Sequence, residues 1–230
     1  MQGTLVNAVS VVIGSLIGIF LRGRFPERIK SIVFQGIGLA TLFIGFQMAL
    51  KTGNLIVLFF SMLIGAVIGE FLNIEGRIEG FGNLVKSKFS SGEDKFVEGF
   101  ITAFLIFCMG SMTIVGSIED GLNGNPNILY AKSMLDGFAS ISLASVLGVG
   151  VLFSAIPLLL YQGGITMLAS LSKAFFTEAV VNELSAAGGI ILIGLGINLL
   201  EIRRIRVANL LPSLVVSAAI TYLMPLLQLV

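Results

Sequence analysis

FVEGFITAFLIFCMGSMTIVGSIEDG, residues 96–121, is long enough to cross a bilayer, yet it is interrupted where a crossing should be most regular. A plain lipid-facing helix has no need of Gly110, Ser111, Thr113, Gly116 and Ser117 so close together. Backbone that leaves the helical ladder at membrane depth must find partners in protein or in a water-filled cavity, so this stretch predicts an internal site. The same small residues would equally serve close helix packing. Glu119 and Asp120 follow at its far end.

The rest of the chain supports the same solvent. Hydrophobic residues make up 56% of the sequence and charged residues 12%, and mean hydropathy is +1.01. Those values exclude an ordinary soluble domain and indicate an all-α, polytopic transmembrane bundle. Stretches of bilayer-crossing length fall at about 4–21, 31–50, 54–72, 96–117, 130–154, 157–173, 186–200 and 207–228. The first has no basic residues before it and no small-residue cleavage site after it, so it reads as a retained helix and not a signal peptide.

Basic residues set the expected orientation, because loops rich in them stay in the cytoplasm. Arg22, Arg24, Arg28 and Lys30, then Arg77, Lys86, Lys88 and Lys95, then Arg203, Arg204 and Arg206 all fall on one side if there are eight crossings. Only Lys51, Lys132 and Lys173 fall on the other. Both termini are then outside. The whole of 1–230 reads as one integral membrane domain: three helices in 1–73, a cytoplasmic amphipathic linker in 74–95, central helices in 96–154, and three final segments in 155–230.

Polar positions within the spans are the candidates for function. Asn7, Ser10, Gly14 and Gly18 form one stripe on the first helix at about 100° per residue. An amide there needs a partner inside protein. Gly36, Ala40 and Gln47 share a face of the second helix, making Gln47 another buried-amide candidate. Ser133, Asp136 and Ser140 share a face of the fifth, and an ionisable residue inside a span is a functional hypothesis by default. Lys132, four residues before Asp136, could neutralise it near the surface. Pro157 is expected to stop the fifth segment, and Gln162, Gly163 and Gly164 to break the sixth, with Thr166 beside the break. Two Gly/Pro-interrupted segments are a sequence pointer to a transporter site. Residues 110–113 and 162–164 are therefore expected to line one cavity.

Weak internal matches pair QGTLVNAVS (2–10) with QGGITMLAS (162–170) and GLATLFIGFQ (38–47) with GIILIGLGIN (189–198). The second aligns Gln47 with Asn198 and Gly45 with Gly196. Helices one to three would then correspond to six to eight, running oppositely, as inverted repeats do.

Other functions find little in the sequence. A net charge of +1 with no long basic run leaves no nucleic-acid surface. One cysteine and no histidine exclude an intramolecular disulfide and Cys/His metal clusters. No nucleophile and base can be paired, and no cofactor motif or Walker sequence is present, so an enzyme is not expected.

MGSMTIVGSIEDGL (109–122), LDGFASISLASVLGVGVLFSAIPLLLYQGGIT (135–166) and the N-terminal GTLVNAVSVVIGSLIG make the chain resemble the YqgA/YdfK family, bacterial inner-membrane proteins carrying a domain of unknown function. The resemblance covers almost the whole chain. It implies a compact bacterial inner-membrane protein of about this length and no particular activity. The residues themselves point to a secondary transporter or channel for a small solute or ion. Its candidate ligands are Asn7, Gln47, Gly110, Ser111, Thr113, Asp136, Ser140, Gln162, Gly163, Gly164, Thr166 and Asn198. A non-transporting scaffold or sensor subunit is the alternative, and a homo-oligomer is left open. If coupling is to a proton, Asp136 carries it; if to sodium, hydroxyls and exposed carbonyls near Ser111, Thr113 and Gln162 hold it.

Overall fold

The computed structural model describes residues 1–22, 27–78, 80, 95–109, 111–171, 175 and 177–224. Its helices are α1 (Gln2–Leu21), α2 (Glu27–Ala49), α3 (Leu55–Leu72), α4 (Phe96–Met109), α5 (Ser111–Asn123), α6 (Asn127–Leu147), α7 (Val149–Phe153), α8 (Ala155–Leu171), α9 (Glu178–Leu199) and α10 (Pro212–Leu223), the last entered through a 3-10 turn at Val207–Leu210. No strand occurs among the described residues. The fold is an all-α membrane bundle. By length and composition α1, α3, the run Val149–Leu171 and α9 can each cross a membrane, and the pair α4 and α5 can do so together. Two shorter apolar helices, Gln35–Ala49 and Val207–Leu223, accompany them.

Side-chain polarity is turned outside in. Phe71, Leu55, Phe138 and Val215 project from the bundle, while Thr4, Asn7, Lys132, Asp136 and Gln162 lie within it. A water-soluble protein rarely exposes so much contiguous apolar surface; in hydrocarbon the same surface costs nothing. Helix α9 is the centre, with 72% of its apolar window buried. It packs against α2, α10, α4 and α3, and Ser185–Gly189, SAAGG, lets those neighbours come close.

Glycine permits close approach in several helix pairs, among them α1–α6, α2–α9 and α3–α10. Gly14 and Gly18 of α1 lie on α6, where an added Cβ would overlap the Gly137 and Ile141 carbonyl oxygens. Gly45 of α2 meets Gly189 of α9, and Gly196 meets Gly38. Gly65 and Gly69 of α3 rest on Ser213 and Asn209. These contacts give the directions. Gly3 touches Leu129 and Gly18 touches Ala144, so α1 and α6 are parallel. Gly38 touches Leu200 while Gly45 touches Gly189, so α2 and α9 are antiparallel, and the Gly65 and Gly69 contacts make α3 and α10 antiparallel too.

Helix ends follow local chemistry. Asn54 caps α3 by accepting from Ile56 N at 3.0 Å and Val57 N at 3.3 Å. Thr177 caps α9 by accepting from Val180 N at 3.3 Å, which starts that helix eight residues before the expected 186. Asn73 ends α3 with φ of 46°, a left-handed cap that asparagine tolerates.

Several expectations need correction. The chain turns between α6 and α7 at Gly148, with φ 77° and ψ −147°, a conformation essentially reserved for glycine, and not at Pro157. Pro157 lies in the first turn of α8, where a missing N–H is tolerated. Gln162, Gly163 and Gly164 do not break a helix: α8 runs straight through them, because glycine lowers helix propensity by only about 1 kcal/mol and packing outweighs it. Thr113, Gly116 and Ser117 are likewise inside regular α5, so the interruption narrows to the junction of α4 and α5, whose axes diverge by 57°. Gly110 at that junction lies outside the described residues, as do the Ser111 side chain and most of the 74–95 linker.

Gly14→Val should lower stability by about 1–3 kcal/mol through overpacking against Gly137, measured by unfolding in mixed micelles. Gly164→Ala, whose new methyl meets nothing within 4 Å, should leave stability equal or slightly higher.

Candidate functional site

Three helices supply one buried polar network. Parallel packing of α1 on α6 brings Asn7 beside Asp136, and α8 closes the third side with Gln162 and Thr166. Asn7 Nδ2 donates to Asp136 Oδ2 at 3.0 Å and to Gln162 Oε1 at 3.0 Å. Gln162 Nε2 donates to Thr4 Oγ1 at 3.2 Å, and the Thr4 and Thr166 hydroxyls lie 3.4 Å apart. Thr166 Oγ1 also donates to the Gln162 carbonyl oxygen at 2.9 Å. Lys132 Nζ pairs with Asp136 Oδ2.

The network is inside the bundle. Thr4, Asn7 and Gln162 are 0% exposed, Lys132 4% and Asp136 8%. Taking two ions out of water costs several kcal/mol each, and only direct pairing with further hydrogen bonds offsets it. Lys132 therefore holds the pair's charge at zero and Asn7 supplies the added hydrogen bond. One acceptor is left over: Asn7 Oδ1 is buried without a hydrogen-bond partner.

Among the candidate ligands read from the sequence, the structure gathers Asn7, Asp136, Gln162 and Thr166. Gly163 joins them only as backbone, with Met1 and Thr4 nearest to where a Cβ would stand, and Gly164 faces open space. Ser140 is buried but spends its hydroxyl on the Gly137 carbonyl at 2.8 Å. Thr113 does the same, donating to Phe107 O at 2.8 Å. Gln47 is exposed on α2 and not a buried amide. Asn198 is remote, and its amide pins the chain beyond α9 by bonding both Ile205 N and Ile205 O at 2.7 Å. The expected common cavity of 110–113 and 162–164 is not formed by broken helices, since 162–164 is unbroken.

Thr4 and Glu183 were not singled out. Thr4 lies three residues before Asn7 and thus on its stripe, a signal present in the helical spacing. Glu183 is 3% exposed and accepts from Thr52 Oγ1 at 2.9 Å, Gly53 N at 2.7 Å and Asn54 N at 3.0 Å. It ties the α2–α3 turn to α9. It precedes the expected segment 186–200, so hydropathy alone gives no sign that it is buried. Asp120, at the far end of the interrupted stretch, is buried at the end of α5 and meets the Met1 amino group at 2.9 Å.

A second feature lies beyond the C-terminal end of α9, beside Arg203 and Arg204. A cavity of about 610 Å³ is lined by Glu98 and Thr102 of α4, Asn198 of α9, and Glu201, Arg203 and Arg204 beyond it. Close by, Glu70 of α3 accepts from Arg206 at 2.5 Å and from Asn209 Nδ2 at 2.8 Å, which locks the 3-10 turn to α3. Among the described residues no group of three His, Cys, Asp or Glu side chains converges to hold a metal.

Comparison with known proteins places the chain in a family. Residues 2–222 match DUF554, described as a protein of unknown function. The uncharacterized membrane protein YdfK of Bacillus subtilis (strain 168) is 34% identical over 226 residues, covering 96% of this chain and 96% of its own. The uncharacterized protein YqgA of Escherichia coli (strain K12) is 32% identical over 220 residues, covering 94% of each chain. No solved structure matches.

Removing one partner of the buried pair should be costly. Lys132→Met is expected to lower stability by about 3–5 kcal/mol, whereas Lys132→Met with Asp136→Leu should recover most of that loss. Equilibrium unfolding of the two variants in detergent checks the difference.

Proposed function

The chain belongs to the DUF554 family, and from that premise we propose that it is a secondary transporter or channel for a small solute or ion, with its site in the network of α1, α6 and α8. The observation that carries this reading is the buried Lys132–Asp136 pair with its amide and hydroxyl partners. Ionisable groups within membrane spans are costly to keep, and they mark solute and ion pathways. A bundle held together only for its own sake can use neutral amides and hydroxyls between helices, without the desolvation cost of a carboxylate and an ammonium.

The protein is read as a multi-pass component of the bacterial inner membrane with both termini outside. That orientation rests on the basic loops and on the helix directions. Taking α1 inward, α3, α6 and α9 also run inward and α2, α8 and α10 outward. Arg22, Arg77 and Arg203–Arg206 then share the cytoplasmic side. The cavity beside Glu98 and Arg203 lies toward that same side and shares no lining residue with the network. No enzyme activity is assigned, because the network contains acids, amides and hydroxyls without a nucleophile poised on a base. The competing reading, a scaffold or sensor subunit, draws on the dense packing around Asn7, which is fully buried.

Two measurements test the reading. Single cysteines at Arg77 or Arg203 in a Cys108→Ala background should resist an impermeant thiol reagent in intact cells, while one at Gly124 should be labelled. In proteoliposomes loaded with a pH dye, a panel of small solutes should include one that moves with a proton flux, and Asp136→Asn should abolish it. A panel in which nothing crosses favours the scaffold.

A further inference from the structure

We infer that the ammonium of Lys132 is a placeholder, and that the network of Asn7, Asp136, Gln162, Thr4 and Thr166 accepts a small monovalent cation in its stead. This inference deepens the transport reading and rests on it for the site's role, though not for the binding itself. Its basis is the donor and acceptor balance of the network. Five side chains bring oxygen atoms together here: a carboxylate, two amide carbonyls and two hydroxyls, the set that suits a hard cation. Asn7 Oδ1, the amide atom not turned toward Asp136 and Gln162, is buried and has no hydrogen-bond partner. A leftover acceptor calls for a donor or a cation, not for an anion.

The Asn7 amide supplies a second argument. Its nitrogen stands 3.0 Å from Asp136 Oδ2 and 3.0 Å from Gln162 Oε1. A half-turn of the amide exchanges nitrogen for oxygen and points three oxygens at one another. That arrangement is repulsive alone and favourable around a positive charge. The network can therefore switch from donating to coordinating with one side-chain rotation.

Charge balance explains Lys132. Asp136 with an added cation and Lys132 together would leave a net positive charge in a low-dielectric interior, so the ammonium must withdraw as the cation enters. Lys132 is five residues past the start of α6 at Asn127, about 7 Å along the helix axis. A lysine stem covers that distance and can carry its ammonium to the bundle end. The site stays neutral in both states, and the covalently attached cation competes with the free one for the same carboxylate oxygen.

The test uses purified full-length protein in detergent, with its melting temperature followed as Na⁺, K⁺ or NH₄⁺ replaces choline at constant ionic strength. At least one of the three should stabilise the wild type in a saturable way. Lys132→Gln, which removes the competitor, should bind that ion at least tenfold more tightly. The double variant Lys132→Gln with Asp136→Asn keeps the shapes without the charges and should show no ion response. If Lys132→Gln folds only when the ion is present, that too supports the placeholder. Identical melting in all four salts for wild type and Lys132→Gln overturns it, as does a response that survives in the double variant. Uptake of ²²Na⁺ or ⁸⁶Rb⁺ into proteoliposomes separates the two conclusions. Saturable binding without flux leaves the cation site standing and removes the transporter; solute flux without any ion response does the reverse.

Discussion

A polar side chain within hydrocarbon has no water to fall back on, and this constraint governs the bundle more than any single apolar contact. Lipid offers no hydrophobic drive to bring helices together, so association depends on close packing and on polar groups that can be satisfied only by another helix. Asn7 meets that need on both flanks, toward Asp136 of α6 and Gln162 of α8. Glu183 meets it at one end of α9 through the Thr52–Asn54 turn. Chain segments far apart in sequence are joined at these points. Glycine then lets the backbones approach closely enough for the bonds to form.

The solvent, the helical class and the stripe on α1 were legible in the sequence, because hydropathy and the helical period depend on the chain alone. Asp136 was legible for the same reason: a carboxylate well inside an apolar segment has few innocent explanations. Lys132 was read as a surface neutraliser, since nothing local reveals that α1 and α8 close over it. Gln162-Gly163-Gly164 misled in the opposite direction. Consecutive glycines suggest a broken helix when propensity is weighed alone, but Gly163 sits over Met1 and Thr4 and the helix continues. Gln47 and Gln162 have the same chemistry in similar apolar surroundings, yet only one is buried, and which one depends on helix rotation about its axis. Rotation is a tertiary quantity that periodicity leaves open when both faces of a helix are apolar.

The match between residues 38–47 and 189–198 takes on a physical meaning once α2 and α9 are seen to be antiparallel neighbours. Gly38 corresponds to Gly189 in that match, and Gly45 to Gly196. The observed contacts are Gly38 with Gly196 and Gly45 with Gly189. Exchanging the two helices converts each contact into the other, so this interface carries its own two-fold axis within a single chain. An interface of that kind has no preferred side. A tilt of one half relative to the other has a mirror tilt built from equivalent contacts, and the two differ in energy only through whatever else in the bundle breaks the exchange. In this chain the exchange is broken by α4–α7, which lie between the matched segments and have no counterpart in either half.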